Sequence, residues 1–369
     1  IYGWRGANIQ NILNFENDFP NCKIIRLEQN YRSTQTILKA ASTVVSNNSM
    51  RKGKTLFSVG EKGEPLVLMI TENDNDEAER VATRIEEQIR VNVPRSEIAM
   101  LYRTNAQSRA LEESLKRRFI PYKIVGGIRF YQRKEIKDML AYLRLIENPK
   151  DDVSFRRIIN YPKRGIGDAT LSQLQEKANG LGCSLLELIS RPGQLDFLAS
   201  GAVAKMTKFA KLLDYLTKMA ATLALGQLMQ LVADKTGITA DLKALDPAES
   251  EMRLENVEEL VASGAEYALE NVEAGVASFL QDISLYTDLE NYDRQSDAVT
   301  LMTLHGAKGL EFESVFITGL EDGLFPISRS LDDTAKLEEE RRLFYVGMTR
   351  AKSRVTLSYA LHRARFGNK

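Results

Sequence analysis

The sequence has 369 residues, with 50 lysines and arginines set against 50 aspartates and glutamates, so its formal net charge is +0. At face value that excludes a uniformly basic nucleic-acid coat. Hydrophobic residues at 43% and charged residues at 27% are ordinary globular values, and the length is about two domains' worth.

The chain opens on Ile1-Tyr2-Gly3-Trp4-Arg5-Gly6-Ala7, which sets the only tryptophan beside an arginine between two glycines. An exposed ring there can stack on a single-stranded base while the guanidinium meets a phosphate; the same ring can equally anchor a core. From Lys23 to Gly127, β-rich runs alternate with helical patterns, and Ile24 to Leu27, Leu66 to Ile70, Ile98 to Tyr102 and Tyr122 to Val125 predict strands. After the first of these, Ser33 or Thr34 is expected to cap a helix. Tyr31 and Arg32 then project at a strand-to-helix junction, as a stacking ring and a phosphate ligand or as one side of a surface salt bridge. Asp74 with Glu77 predicts a capped helix whose Ala78, Val81, Ile85 and Ile89 recur at helical spacing. The alternation is a parallel α/β pattern.

From about Phe130 to Tyr292 the strand signal stops, and amphipathic helices are expected around Ile136 to Ile146, Leu171 to Ala178, Val203 to Leu223, Leu254 to Leu269 and Val276 to Leu285. Near the start of this block, Asn160 to Asp168 contains Lys163, Arg164, Gly165 and Gly167. Backbone N–H groups of that turn can hold a phosphate, or the turn can simply join two helices.

Strands return at Val299 to Leu304, Val315 to Thr318 and Val355 to Tyr359, with a long helix from about Leu337 to Ala351. Thr303-Leu304-His305-Gly306-Ala307-Lys308-Gly309 is expected to open a helix and to aim N–H groups at an anion, although no GxxxxGK[ST] occurs anywhere in the chain. The charges between Glu338 and Lys352 fit a solvated helix with i,i+4 pairs such as Glu338 with Arg342. Arg350 stands apart, just ahead of a buried strand. The simplest architecture is an α/β domain interrupted by a helical insertion.

The zero net charge is an average over unlike parts: residues 1–165 carry +9, residues 166–299 carry −11 and residues 300–369 carry +2. A basic face can therefore act locally, within a Debye length of roughly 10 Å. The best apolar run, Met219 to Ala233, contains Gln227 and Gln230 and is too short to span a bilayer. Nothing after Ile1 reads as a secretory signal. Cys22 and Cys183 are far apart, and His305 and His362 share no metal-ligand spacing with them, so neither a disulfide framework nor a zinc site is expected. Such sparse cysteine usage suits a reducing cytosol.

Taken together, the clusters resemble the later motifs of superfamily 1 DNA helicases of the UvrD/PcrA/Rep type. IYGWRGA at Ile1 to Ala7 resembles the end of motif III, QNYRS at Gln29 to Ser33 motif IV, TLHGAKGLEF at Thr303 to Phe312 motif V, and EERRLFYVGMTRA at Glu339 to Ala351 motif VI. Leu101 to Arg109 and Gly126 to Tyr131 also look like family signatures. The resemblance implies the end of a first RecA-like domain at 1–20, a second RecA-like α/β domain at 21–130 and 294–369, and an inserted helical accessory domain at 131–293. It implies that Tyr31 stacks on adenine, that Glu311 binds the ribose of ATP, and that Arg32 and Arg350 are arginine fingers on the γ-phosphate. It nominates Trp4, Arg5, Arg103, Asn105, Thr303 and His305 along single-stranded DNA, and Lys163, Arg164, Gly165 and Gly167 on duplex DNA.

By the same resemblance, the full-length protein is expected to be a cytoplasmic, nucleoid-associated 3′-to-5′ helicase of DNA repair or replication that uses ATP and Mg²⁺ on single strands and single/double-strand junctions. A Walker A lysine and an acidic motif II, which the family also needs, are absent, so the chain is expected to hold half an ATPase site, to lack the N-terminal ATPase domain, to hold no cofactor tightly and to be inactive alone. Two other readings are a non-catalytic module that binds DNA or protein, and a subunit of a RecB/AddA-like helicase-nuclease. Repair or replication proteins are possible partners, and no membrane is.

Overall fold

The computed structural model describes residues 14–23, 25, 27–49, 57–271, 275–288 and 297–363. Trp4 and Arg5 lie outside the described residues, and the strand expected at Ile24 to Leu27 lies partly outside them. The described residues fall into two compact units, one within Ile1–Gly127 and Asp293–Arg363, the other within Ile128–Tyr292.

The first unit is built on six strands: β1 Val67–Thr71, β2 Ile98–Tyr102, β3 Tyr122–Ile124, β4 Val299–Thr303, β5 Phe312–Ile317 and β6 Ala351–Ala360. They form one sheet in the order β1-β6-β5-β2-β4-β3, and every neighbouring pair is parallel. A parallel strand covered on both faces is apolar at consecutive positions, which is why all five residues of β2 are buried. Successive side chains still alternate between faces. Ile98, Met100 and Tyr102 join Val299, Leu301 and Phe316 in one core under helices Asp74–Arg90 and Ser108–Arg117. Ala99 and Leu101 join Met302, Val315, Ile317 and Val355 in the other, under helices Gln35–Val45 and Thr334–Met348.

Several local expectations are corrected. The helix expected from Asp74 is capped by Asn73, whose side chain accepts from the Asp76 N–H, so Glu77 is free for a different contact. Thr34 occupies the N-cap of Gln35–Val45 without a side-chain cap bond, while Ser33 Oγ donates to the Ala351 carbonyl at 2.7 Å. Residues 304–309 form turns rather than opening a helix, since Gly309 sits at φ +90°, where helix cannot continue. The charged helix Thr334–Met348 is not wholly solvated, because Glu338 and Glu340 are buried.

The second unit is helical, and its core gathers apolar faces from Lys134–Glu147, Asp152–Ile158, Ser200–Ala220, Leu225–Thr236, Pro247–Glu270 and Val276–Asp288. The sequence run Met219 to Ala233 is divided between two of these helices. Among the described residues no helix is long and apolar enough to cross a membrane.

Candidate functional site

Parallel strands place all their amino ends on one edge of the sheet and all their carboxyl ends on the other. The expected functional residues of the first unit sort by edge. At the amino edge, Arg350 immediately precedes β6, Glu311 immediately precedes β5, and Arg32 lies in the loop ahead of helix Gln35–Val45. That loop is held by Asn30, whose Oδ1 accepts the N–H groups of Arg32 and Ser33 at 2.9 Å each, and by Thr34, whose N–H donates to the Lys352 carbonyl.

Arg32 Nε lies 2.6 Å from Glu311 Oε2, and Arg32 Nη1 donates to the Thr349 carbonyl at 3.3 Å. Arg350 donates from Nε to the Val346 carbonyl at 3.0 Å and from Nη1 to the Leu310 carbonyl at 3.2 Å. Burial, and then the neighbouring Arg32 charge, lower the Arg350 pKa from its ordinary value. The Arg32 hydrogen bond holds the Glu311 carboxyl below the usual range, with Lys352 and Arg350 adding to the pull. Tyr31 is 83% exposed, and its hydroxyl donates to Gln29 Oε1 at 2.9 Å. The edge therefore presents two guanidinium groups beside one carboxylate, with a free aromatic face.

Lys352 adds a third cation, its Nζ 3.0 Å from Glu97 Oε2; a lysine at a strand start carries no distinctive spacing in the sequence. Among the described residues no three His, Cys, Asp or Glu side chains gather into a group fit to hold a metal ion.

The carboxyl edge brings together Arg103, Asn105, Thr303 and His305. Tyr102 pairs with Thr303 in register, and the Leu304 N–H donates to the Tyr102 carbonyl at 2.8 Å, which sets the two strand ends side by side. Arg103 does not point out freely. Its Nε and Nη2 grip both oxygens of Glu340 at 2.8 to 3.2 Å, with side chains only 13% and 7% exposed. Thr303 Oγ1 accepts the Gly306 N–H at 3.3 Å. His305 is half-buried, and burial followed by the Arg103 charge pushes its pKa down to about 4, so the imidazole is neutral at pH 7 and can exchange hydrogen bonds without carrying charge.

In the helical unit, Lys163 is exposed, but Arg164 is turned inward. Its Nη1 donates to the carbonyls of Ile158, Ile159, Tyr161 and Pro162, and its Nη2 to Tyr142 Oη and the Thr236 carbonyl. The guanidinium also lies 4.9 Å from the Phe209 ring centroid. Arg164 thus shapes the turn from inside rather than offering a cation to solvent. Asn160 Oδ1 accepts the N–H groups of Arg164 and Ile166, Gly165 takes φ +68°, and Gly167 is the N-cap of helix Asp168–Leu181.

The UvrD-like helicase C-terminal domain family matches residues 25–362. The chain is 45% identical over its whole length to the ATP-dependent DNA helicase PcrA of Bacillus subtilis, covering 50% of that protein. It is 43% identical over its whole length to DNA helicase II of Escherichia coli K12, covering 51% of it. The chain spans about half the length of the curated relatives it matches. On that match and that identity, the chain belongs to the UvrD-like helicase C-terminal domain family.

Proposed function

We propose that this chain is the C-terminal half of an ATP-dependent DNA helicase or translocase, moving 3′-to-5′ as the resemblance implies, in the repair or replication of DNA in a bacterial cytosol. The observation that carries the reading is the meeting of Arg32, Arg350 and Glu311 beside the exposed Tyr31 at the amino edge of the sheet. Phosphoryl transfer spreads negative charge over equatorial oxygens, and guanidinium groups entering from across a cleft stabilise it. ATP would lie between this edge and a preceding domain that supplies the phosphate loop and the acidic motif, with Tyr31 against the base, Glu311 toward the ribose, and Arg32 and Arg350 toward the γ-phosphate. A phosphate that drew the Arg32 guanidinium away from Glu311 would free the carboxylate for a hydroxyl.

Asn105, Thr303 and His305 at the opposite edge would follow single-stranded DNA through neutral contacts that read little sequence. Five strand residues at roughly 3.3 Å each set the two edges about 16 Å apart, close enough for one rigid domain to feel both ligands. Trp4 and Arg5, and the helical unit's turn around Lys163, Gly165 and Gly167, would add contacts to the single strand and the duplex junction. ATP turnover of the full-length protein, measured with and without single-stranded DNA beside residues 1–369 alone, tests the reading. Stimulated turnover only in the full-length protein is expected. Turnover by the isolated chain would overturn the half-site, and none in the full-length protein would overturn the helicase assignment.

A further inference from the structure

Helix Thr334–Met348 touches both edges of the sheet. At its carboxyl end it delivers Arg350, and the Thr349 carbonyl there accepts Arg32 Nη1 at 3.3 Å. Glu340, eight residues before the helix ends at Met348 and so about 12 Å along its axis, holds Arg103 at the carboxyl edge. Between these points Gly347 lies so close to Leu304 that a Cβ there would stand 2.4 Å from Leu304 Cδ2. Glu338 anchors the same helix to the segment that follows Gln35–Val45, its Oε1 accepting Ser49 N–H and Oγ at 2.6 Å each. Arg103 itself begins the loop that carries Asn105, and Gln107 Oε1 accepts the N–H groups of both Arg103 and Thr104 at 2.9 Å.

We propose that Glu340 is a positioning residue: its two-pronged ion pair with Arg103 fixes the loop at the nucleic-acid edge to the helix that presents Arg350, so that DNA bound at one edge sets the finger geometry at the other. The proposal rests on the helicase reading above. Releasing Arg103 to a phosphate would leave Glu340 as an unpaired buried charge, a large penalty, so Arg103 stays with Glu340 while DNA is bound. The pair transmits position through Arg103 Nε and Nη2. His305 reports the arrangement, since its imidazole feels the opposed charges of both Arg103 and Glu340.

The test uses the full-length protein carrying Glu340→Gln, with Arg103→Lys as a milder second variant that keeps the charge but loses the fork. Glu340→Gln should lower the DNA-saturated kcat for ATP at least tenfold, while leaving DNA-free turnover and the single-stranded DNA Kd within about threefold. That split is what distinguishes lost coupling from lost binding. Arg103→Lys should fall between wild type and Glu340→Gln in saturated kcat. A Kd raised tenfold or more by Arg103→Lys, with saturated kcat retained, would overturn the proposal by making Arg103 a direct DNA ligand. Unchanged kinetics in both variants would overturn it as well. Absence of DNA stimulation in the wild type would instead overturn the helicase reading itself.

Discussion

Arg32 and Glu311, 279 residues apart in the chain, meet with 2.6 Å between Nε and Oε2. The contact joins the loop ahead of helix Gln35–Val45 to the residue immediately before β5, and it sets two groups proposed for one nucleotide against each other before the nucleotide arrives. Arg32→Ala in the full-length protein should therefore do two things. The DNA-stimulated kcat should fall by about 10³ or more, the scale of a lost arginine finger, while single-stranded DNA Kd stays within about threefold. Retained turnover would refute the finger assignment for Arg32, and Arg350→Ala should behave alike.

Acid should loosen the same pair. The folded pKa of Glu311 is depressed, chiefly by the Arg32 hydrogen bond, so its contribution is present above the ordinary carboxyl pKa and is lost as pH falls through the folded value. A carbon-13 NMR titration of the Glu311 carboxyl in wild type and Arg32→Met checks this. The Arg32→Met protein should titrate at higher pH than wild type; equal midpoints would mean that the pair does not persist in solution.

His305 gives a second pH signature of opposite charge type. Its folded pKa is pushed down to about 4 by burial and then by Arg103, below the ordinary imidazole value of about 6.5. The unfolded chain takes up this proton first, so the stability associated with the neutral ring is full above pH ~6.5 and is lost progressively down to about 4. The chain has only two histidines, so nitrogen-15 NMR of labelled protein is decisive. One imidazole should titrate near pH 4, and that signal should vanish in His305→Gln.

Much of the sheet was legible because buried parallel strands leave unbroken apolar runs. Ile98–Tyr102 was read with the bounds the structure has, and β1, β3, β4 and β6 were found within a few residues of theirs. What failed was assignment of polar partners. Glu77 reads as a capping residue three after Asp74, yet it is buried among side chains far away in sequence. Glu338, Glu339 and Glu340 read alike in a charge run, and only the packing of helix Thr334–Met348 separates the buried first and third from the second. Arg164 looked like a DNA ligand because its neighbours are basic and Gly-rich; the carbonyls that claim it come from Ile158 to Pro162 and from Thr236. Spacing identifies an element, but a charge's partner is fixed only once the chain is folded.

The helical unit's turn separates these roles by mutation. Arg164→Ala strips donors from several buried acceptors and should destabilise the chain by about 2–4 kcal/mol, with Arg164→Lys recovering only part of that, since an ammonium cannot bridge so many carbonyls. Lys163→Ala should leave the urea midpoint unchanged while weakening junction DNA binding and reducing the magnitude of the salt slope by about 0.9. Equal stability loss in both variants would remove the distinction.

A largely buried charge cluster lies at the carboxyl edge. Arg363 Nη2 lies 2.5 Å from Glu77 Oε2 and 2.8 Å from Glu321 Oε1, and its Nε lies 3.0 Å from Glu321 Oε2. Glu77 Oε1 accepts the Gly319 N–H at 2.9 Å and Ser358 Oγ at 2.7 Å, and Glu321 Oε1 accepts the Ala360 N–H at 2.9 Å. One guanidinium thus joins helix Asp74–Arg90 to the ends of β5 and β6. Arg363→Met leaves Glu77, 3% exposed, as a buried carboxylate without its cation, and should cost about 3–5 kcal/mol. Glu77→Gln removes the charge but keeps an oxygen for Gly319 and Ser358, and Arg363 retains Glu321, so a smaller loss of about 1–3 kcal/mol is expected. The double variant has no unpaired charge at Glu77. Its loss in urea unfolding should therefore be smaller than the sum of the two single losses by about 1–3 kcal/mol, the signature of groups in direct contact. Strict additivity would show that the two side chains contribute independently, and that the cluster is not one interacting unit in solution.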